Sequence, residues 1–267
     1  MDLAQGVDHL LLAQPLALAT DFDGTISEIA PTPELASVHP RCRDLLAQLT
    51  HKLPLVAVLS GRPAVEVRRL TGIGGVVYLG NHGLEWWQDG TSHIEPSVSK
   101  DLAIIRSILE ASRRALNLPG LAFEDKGAGA SIHYRLTEDP VQARDEVLAV
   151  LHDLTRGTGV RVVEGRRVVE LRPSVRVDKG TALFGLLRRH PVRAAVYAGD
   201  DLTDVDAFEG MRRWEQQEDG RSVAVAIASP EMPPELSDSA DLVVDSVGGW
   251  ADFMHSLLTS LDARQGG

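Results

Sequence analysis

The sequence predicts an α/β protein, an open parallel sheet flanked by helices with a smaller α+β insertion, on three observations. Short continuous apolar runs end abruptly in polar residues, as strands buried on both faces do at the edge of a parallel sheet. Up to about Leu79 these runs alternate with helical periodicity. From about Lys100 the order becomes helix, strand, strand, helix, strand, strand, the rhythm of a small sheet covered by two helices.

The first apolar run, Leu16 to Thr20, leads into Asp21-Phe22-Asp23-Gly24-Thr25. In an extended chain residues i and i+2 point the same way, so Asp21 and Asp23 can address one ligand together, one attacking and the other moving protons. Gly24 lets the backbone turn away sharply. The alternative for the pentad alone is a loop or helix cap, since Asp, Gly and Thr are ordinary turn and N-cap residues. A helix is expected over His39 to Lys52. The second run, Leu55 to Leu59, closes on Ser60-Gly61-Arg62-Pro63, and a helix from Pro63 to Thr71 follows, with proline suited to its first position. A further strand spans Gly75 to Leu79, ahead of Gly80-Asn81-His82-Gly83-Leu84-Glu85.

The insertion is expected over 101–172, between core segments 1–100 and 173–267. Its helices run from Asp101 to Asn117 and from Pro140 to Arg156. Its strands are Leu121 to Asp125, Ser131 to Leu136, Val160 to Glu164 and Val168 to Arg172. Alternation puts Glu124 with Lys126 on one face, and His133 with Arg135 on one face. With Glu170 and Arg172 they form a dense polar cluster, which as solvated strand charge would need no function.

The chain then returns to the core. Asp178-Lys179-Gly180-Thr181 opens the helical stretch Ala182 to Leu187, and the run Ala194 to Ala198 closes on Gly199-Asp200-Asp201-Leu202-Thr203-Asp204. Strands at Ser222 to Ala228 and Leu242 to Asp245 and a helix from about Gly249 complete the core. Four polar segments in this order imply one site, because an open parallel sheet gathers the carboxyl ends of its strands into a single crevice.

Those segments resemble the phosphatases of the haloacid dehalogenase (HAD) superfamily over nearly the whole chain. The resemblance implies a Rossmann-like three-layer core with an inserted cap of αββαββ order. It implies Asp21 as nucleophile and Asp23 as the acid that protonates the leaving oxygen, with Ser60, Gly61 and Lys179 on the phosphoryl oxygens. It also implies a Mg2+ ion held by Asp21, Asp200 and the main-chain carbonyl of Asp23, with Asp201 and Asp204 as anchors behind them. Charge supports the ion independently: a phosphate dianion approaching two carboxylates in a chain of formal charge −11 needs local cations to offset that field.

Within that superfamily, Glu124-x-Lys126, His133-Tyr134-Arg135, Glu170-x-Arg172-Pro173 and Gly80 to Glu85 resemble the trehalose-6-phosphate phosphatases. The resemblance implies that Glu124, Lys126, Arg135 and Glu170 grip the distal glucose, and that Asn81 and His82 touch sugar or brace their loop. Sugar hydroxyls donate and accept, so mixed carboxylates and cations suit them. Trp86 and Trp87 are packing residues or a sugar platform. Asp178 departs from the family pattern, which has Asn there; the extra carboxylate bears on Lys179 or the ion. The activity implied is Mg2+-dependent hydrolysis of trehalose 6-phosphate to trehalose and inorganic phosphate through a phospho-aspartyl intermediate, in trehalose biosynthesis. The alternatives are another sugar phosphate, such as sucrose phosphate or mannosyl-3-phosphoglycerate, a phosphomutase, or a non-catalytic sugar-phosphate sensor. A sensor would be expected to lose the nucleophile or the metal aspartate, and both are present.

Composition excludes other classes. The 267 residues, 43% apolar, are enough for a sizeable core. The acidic balance argues against a nucleic-acid partner. Cys42 is the only cysteine, so neither a disulfide framework nor a cysteine zinc site is available, which fits a reducing cytosol. The nine histidines show no metal-ligand spacing. The apolar segment Leu10 to Ala19 follows Asp2 and Asp8, lacks a basic start and runs into Asp21, unlike a secretory signal. No run approaches the ~18 residues of a membrane span. A cytoplasmic monomer acting on a phosphorylated disaccharide, with no nucleic-acid or membrane partner, is the expectation.

Overall fold

The computed structural model of the protein describes residues 1–30, 33–95, 98–165, 167–175 and 177–265. They form two compact units, Met1–His93 with Val177–Gly267, and Ile94–Arg176. The chain begins with α1 (Leu3–Leu11), β1 (Leu16–Asp21), α2 (Pro40–Leu49), β2 (Leu55–Leu59), α3 (Ala64–Thr71), β3 (Val77–Gly80) and the hairpin β4 (Glu85–Gln88) and β5 (Thr91–Ile94). The second unit carries α4 (Ser99–Ala115), β6 (Ala122–Asp125), β7 (Ala130–His133), α5 (Pro140–Thr155), β8 (Arg161–Gly165) and β9 (Val168–Arg172). The first unit resumes with α6 (Lys179–Arg188), β10 (Ala194–Gly199), α7 (Leu202–Glu218), β11 (Arg221–Ile227), α8 (Pro234–Ser239), β12 (Leu242–Val244) and α9 (Val247–Gln265).

Among the described residues the large sheet has the order β12-β11-β10-β1-β2-β3-β4-β5. It is parallel from β12 to β3, and β4 runs antiparallel to β3. The chain lays β2 and β3 on one side of β1 and returns to lay β10 on the other, so the strand order reverses at β1 and β10. Loops leaving two such strands diverge and open a crevice at their carboxyl ends. Asp21 and Asp200 stand there.

Period-2 alternation divides the core between the two faces of this sheet. Leu16, Leu18, Val56, Val58, Val196 and Val223 pack against Val7 and Leu10 of α1, Leu46 and Leu49 of α2, and Trp250, Phe253 and Leu257 of α9. Ala17, Ala19, Ala57, Ala195 and Tyr197 meet Leu183 and Leu187 of α6 and Phe208, Met211 and Trp214 of α7. Burial on both faces explains why these strands read as continuous apolar runs. Each fully buried leucine, such as Leu10, Leu18 or Leu46, contributes about 1.5–3 kcal/mol relative to exposure. Trp86 and Trp87 point to opposite faces of β4, each packing on one cluster, with Arg189 over the first ring and Arg68 over the second.

The second unit's sheet is antiparallel throughout, in the order β6-β7-β9-β8. Ala130, Ile132, Val169 and Leu171 form its buried face, with Ile105, Ile108 and Leu109 of α4 and Val147 and Leu151 of α5 buried alongside. The opposite face carries the row Glu124, Ser131 and Glu170, directly paired across three strands.

The α/β class expected from the sequence is the one found; several edges differ. Strand β7 stops at His133, because Thr137 Oγ1 and N bond back to the Tyr134 carbonyl at 2.8 and 3.5 Å and close a turn. Arg135 lies in that turn, so alternation does not place it beside His133. Strand β6 stops at Asp125, and Lys126 begins a tight turn through its N–H bond to the Gly129 carbonyl, 2.9 Å. Helix α3 starts at Ala64 with Pro63 as its extended cap, not as its first residue. Helices α1, α7 and α8 and the β4–β5 hairpin are elements that the sequence reading lacks. Signals existed for α1 in its Asp2–Gln5 capping box and the spacing of Val7, Leu10 and Leu11. Among the described residues no helix is long and apolar enough to cross a membrane.

Candidate active site

Several segments of the first unit meet at the carboxyl ends of the parallel strands, around a cleft of about 440 Å3 lined by Asp21, Asp23, Ser60, His82, Lys179 and Asp200 among others. A cavity of about 500 Å3 lies at the opposite end of the strands, against Leu55, Val77, Trp87 and His190. It gathers no carboxylate pair beside a buried cation, so chemistry rather than volume selects the first cleft.

Asp21 is the last residue of β1 and is 5% exposed. Lys179, the first residue of α6, is 3% exposed and donates to Asp21 Oδ1 and to Asp204 Oδ1, both at 2.7 Å. Asp204, wholly buried in the first turn of α7, is the hub of the site. Its Oδ1 also accepts from the Tyr197 hydroxyl at 2.6 Å, and its Oδ2 accepts the N–H groups of Asp200 and Asp201, both at 3.0 Å. Those amides hold the turn that presents Asp200. Asp201 is the exposed N-cap of α7.

Gly24 answers to two demands at once. Its φ is +79°, and a Cβ there would lie 1.9 Å from Asp200 Oδ2. Asp200 can therefore approach the loop after Asp21 only because residue 24 has no side chain.

Burial pushes the Asp21 carboxyl well above its usual range, with Asp204 and Asp200 adding to the rise and Lys179 opposing it. Asp200 is raised to about 7, chiefly by burial and then by Asp204. Lys179 is raised: burial alone would lower it, but two carboxylates at 2.7 Å outweigh burial and keep it cationic. Three carboxylates around one ammonium leave two uncompensated negative charges, a costly arrangement in a buried site unless a cation joins it.

The donor set fits a hard divalent cation. Oxygens of Asp21, Asp200 and Asp204 lie within 4.8 Å of one another. Both Asp204 oxygens already accept two donors each, so Asp21 and Asp200 are the carboxylates with capacity left for an ion.

Asp23 is held by Arg62, whose Nε reaches Oδ2 at 2.7 Å and Nη2 reaches Oδ1 at 2.9 Å. Ser60 is buried; its N–H donates to the Leu79 carbonyl at 2.9 Å, and its Oγ accepts the Arg62 N–H at 3.1 Å. Asn81 and His82 adopt left-handed φ values of 50° and 58°, uncommon for non-glycine residues and held by N–H bonds to the carbonyls of Arg62 and Ser60. The turn sets the His82 ring on Gly61, where a Cβ would sit 3.0 Å from the imidazole. Asp178, the departure from the expected pattern, caps α6 through the Thr181 N–H at 2.7 Å.

In the second unit, Glu170 binds Lys126 Nζ at 3.0 Å and Arg172 at 2.6 and 2.9 Å, while Glu124 binds His133 Nε2 at 3.0 Å. Burial would raise the Glu170 carboxyl, but Lys126 and Arg172 outweigh it and hold it below its usual value. Ser131 sits between Glu124 and Glu170 in the same row, buried, its hydroxyl making no hydrogen bond among the described residues.

Sequence reasoning gave no role to Arg62, Tyr197 or Ser131. Only Tyr197 carried a readable signal, as the lone hydroxyl in the apolar run of β10.

Strand order reverses over a buried aspartate, lysine and second aspartate, and the fold is that of the haloacid dehalogenase-like class. Solved structures of that fold superpose on most of the chain. A trehalose-6-phosphate phosphatase related protein matches with a TM-score of 0.70 at 21% identity, over 94% of this chain and 100% of that one. The Aspergillus fumigatus trehalose-6-phosphate phosphatase matches at 0.69 and 21%, over 97% and 98%. The trehalose-phosphatase family model matches residues 19–239, and the chain belongs to that family. It is 36% identical over 216 residues to the trehalose-phosphate phosphatase of Mycobacterium tuberculosis, spanning 77% of this chain and 54% of the relative. With that of Mycobacterium marinum it shares 34% over 247 residues, 86% and 62% of the two chains. The chain thus spans somewhat over half the length of these curated relatives.

Proposed function

We propose that the protein hydrolyses trehalose 6-phosphate to trehalose and inorganic phosphate, with Asp21 as nucleophile and Mg2+ as the divalent ion. The observation that carries the reading is the buried Asp21, in contact with Lys179 and beside Asp200, in a chain of this family.

The chemistry runs in two displacements. The Asp21 carboxylate attacks phosphorus in line, the P–O6 bond of the sugar breaks, and Asp23 gives its proton to the departing oxygen. Water then attacks the phospho-aspartyl group, Asp23 takes its proton, and phosphate leaves as Asp21 is regenerated. Lys179 offers a fixed charge to the phosphoryl oxygens, and Ser60 and Gly61 offer hydrogen bonds at the cleft wall, groups already in place before charge develops. Mg2+, held by Asp21, Asp200 and the Asp23 carbonyl, would neutralise phosphoryl charge and the excess negative charge of the cluster. Asp204 holds the Asp200 turn and Lys179 in register.

Glu124, Lys126, Arg135 and Glu170 of the second unit are assigned to the distal glucose on the family resemblance, which their mixed charge suits, and Asn81 and His82 of the first unit are assigned to the sugar or to bracing their own loop. The insertion expected over 101–172, which falls within the second unit, is assigned to substrate specificity.

The test is phosphate release from trehalose 6-phosphate, sucrose 6-phosphate, glucose 6-phosphate and p-nitrophenyl phosphate, each with Mg2+ and with chelator. Mg2+-dependent preference for trehalose 6-phosphate supports the reading; equal rates on all four remove the substrate, and activity surviving chelation removes the ion.

A further inference from the structure

We propose that Arg62 is a positioning residue for proton transfer: it holds the Asp23 carboxylate in the orientation in which Asp23 serves the leaving oxygen and the attacking water. The inference rests on the reading above that Asp23 is the acid and base. The terminal torsion of an aspartate is soft, so one hydrogen bond would leave its carboxylate free to swing. Arg62 makes two parallel bonds, to Oδ2 at 2.7 Å and Oδ1 at 2.9 Å, and these fix both oxygens and the plane between them.

Arg62 is itself fixed from several sides. Its Nη1 bonds Glu66 Oε1 at 2.7 Å, its guanidinium lies 5.6 Å from the Phe22 ring centroid, and its side chain is only 14% exposed. Its main chain is bound at both ends, N–H to Ser60 Oγ at 3.1 Å and carbonyl to the Asn81 N–H at 2.9 Å. Two residues on, the Ala64 N–H is bound at 2.7 Å by Glu85, a buried carboxylate that burial raises above its usual range. The loop presenting Arg62 is thereby stitched to the segment Gly80 to Glu85. A surface ion pair needs no such support.

A simple brace and a positioning residue differ in what their loss does to leaving-group dependence. Breaking the bond to a sugar hydroxyl requires a proton on the leaving oxygen; p-nitrophenolate departs without one. The comparison uses kcat/KM, which covers the steps up to leaving-group departure. It is measured with Mg2+ for trehalose 6-phosphate and p-nitrophenyl phosphate in wild type, Asp23→Asn, Arg62→Lys and Glu66→Gln. Lysine keeps the charge and lacks the fork. Glu66 is a partly exposed helix residue whose amide variant keeps an acceptor oxygen for Arg62 and removes the charge, weakening one support without emptying a buried site.

The expected result is that Arg62→Lys loses at least about tenfold more on the sugar ester than on the aryl ester. Glu66→Gln shifts the ratio the same way by less, and Asp23→Asn by more. Equal losses on both esters in Arg62→Lys and Glu66→Gln, while Asp23→Asn discriminates, overturn the role of Arg62 and leave the reading of Asp23 standing. If Asp23→Asn itself lowers both esters equally, the acid–base reading falls, and the role of Arg62 falls with it.

Discussion

Lys179 Nζ lies 2.7 Å from Asp21 Oδ1, an ion pair with both side chains almost out of solvent, at 4% and 7% exposure. The two residues are 158 positions apart, so only the return of α6 to the edge of the sheet joins them. The same ammonium contacts Asp204 and so lies between two buried carboxylates.

Removing that charge by Lys179→Met should destabilise the ion-free protein by about 3–5 kcal/mol, the range for breaking a buried pair. The urea midpoint measures it. A loss under about 1 kcal/mol would mean that the carboxylates relax by taking up protons.

Asp21→Asn should lower phosphate release by more than about 10³-fold, as expected when a covalent nucleophile is lost. The fold should survive, because the amide keeps the shape of the side chain and lessens the excess negative charge. Circular dichroism and a thermal melt, set beside the assay, distinguish this from unfolding.

Stability of the ion-free protein should depend on pH through Asp200. Its carboxyl is raised from 3.8 to about 7 in the fold, so the folded state binds this proton more tightly than the unfolded chain. The resulting stabilisation is fully present below about pH 4 and is lost as pH rises through 7. An ion needs the deprotonated carboxylate, so the rise in Tm on adding Mg2+ should grow from pH 5.5 to 8. Asp200→Asn should flatten that growth; a Mg2+ effect independent of pH in the wild type would count against Asp200 as a ligand.

Glu170→Ala should lower kcat/KM on trehalose 6-phosphate by roughly 10–100-fold, because Lys126 and Arg172 lose their shared carboxylate and the sugar loses an acceptor. Activity on p-nitrophenyl phosphate should change less than about threefold. Equal losses on both would end the assignment of this cluster to sugar.

Asp21, Ser60 and Asp200 were legible because each stands at or just beyond the end of a strand. Leu16 to Thr20, Leu55 to Leu59 and Ala194 to Ala198 are short apolar runs, and Asp21, Ser60 and Asp200 are the residues at which burial gives way to a cleft. Regular periodicity carries that information locally. Turns that end a strand early carry less of it. The bonds that close Tyr134 to Thr137 took Arg135 off its strand, and nothing in the alternation of the preceding residues announces them.

Arg62, Tyr197 and Ser131 show a different limit. Arg62 follows a glycine and precedes a proline, which marks a turn and does not say where a guanidinium will reach. Its partner Asp23 lies 39 positions away. The chain specifies donors and acceptors; pairing them requires the sheet.

By itself, then, the sequence determined the α/β class, the alternation of strand and helix, and the residue types standing at the strand ends. All of these depend on neighbours within a few positions, where hydrophobic period and turn chemistry operate. The tertiary structure alone decided which four donors would meet on the two Asp204 oxygens, and that Lys179 would sit between two carboxylates. It also decided that Arg62 would grip both oxygens of Asp23. Those outcomes depend on angstrom-scale distances between segments brought together by burial, and short-range energetics along the chain contain no measure of them.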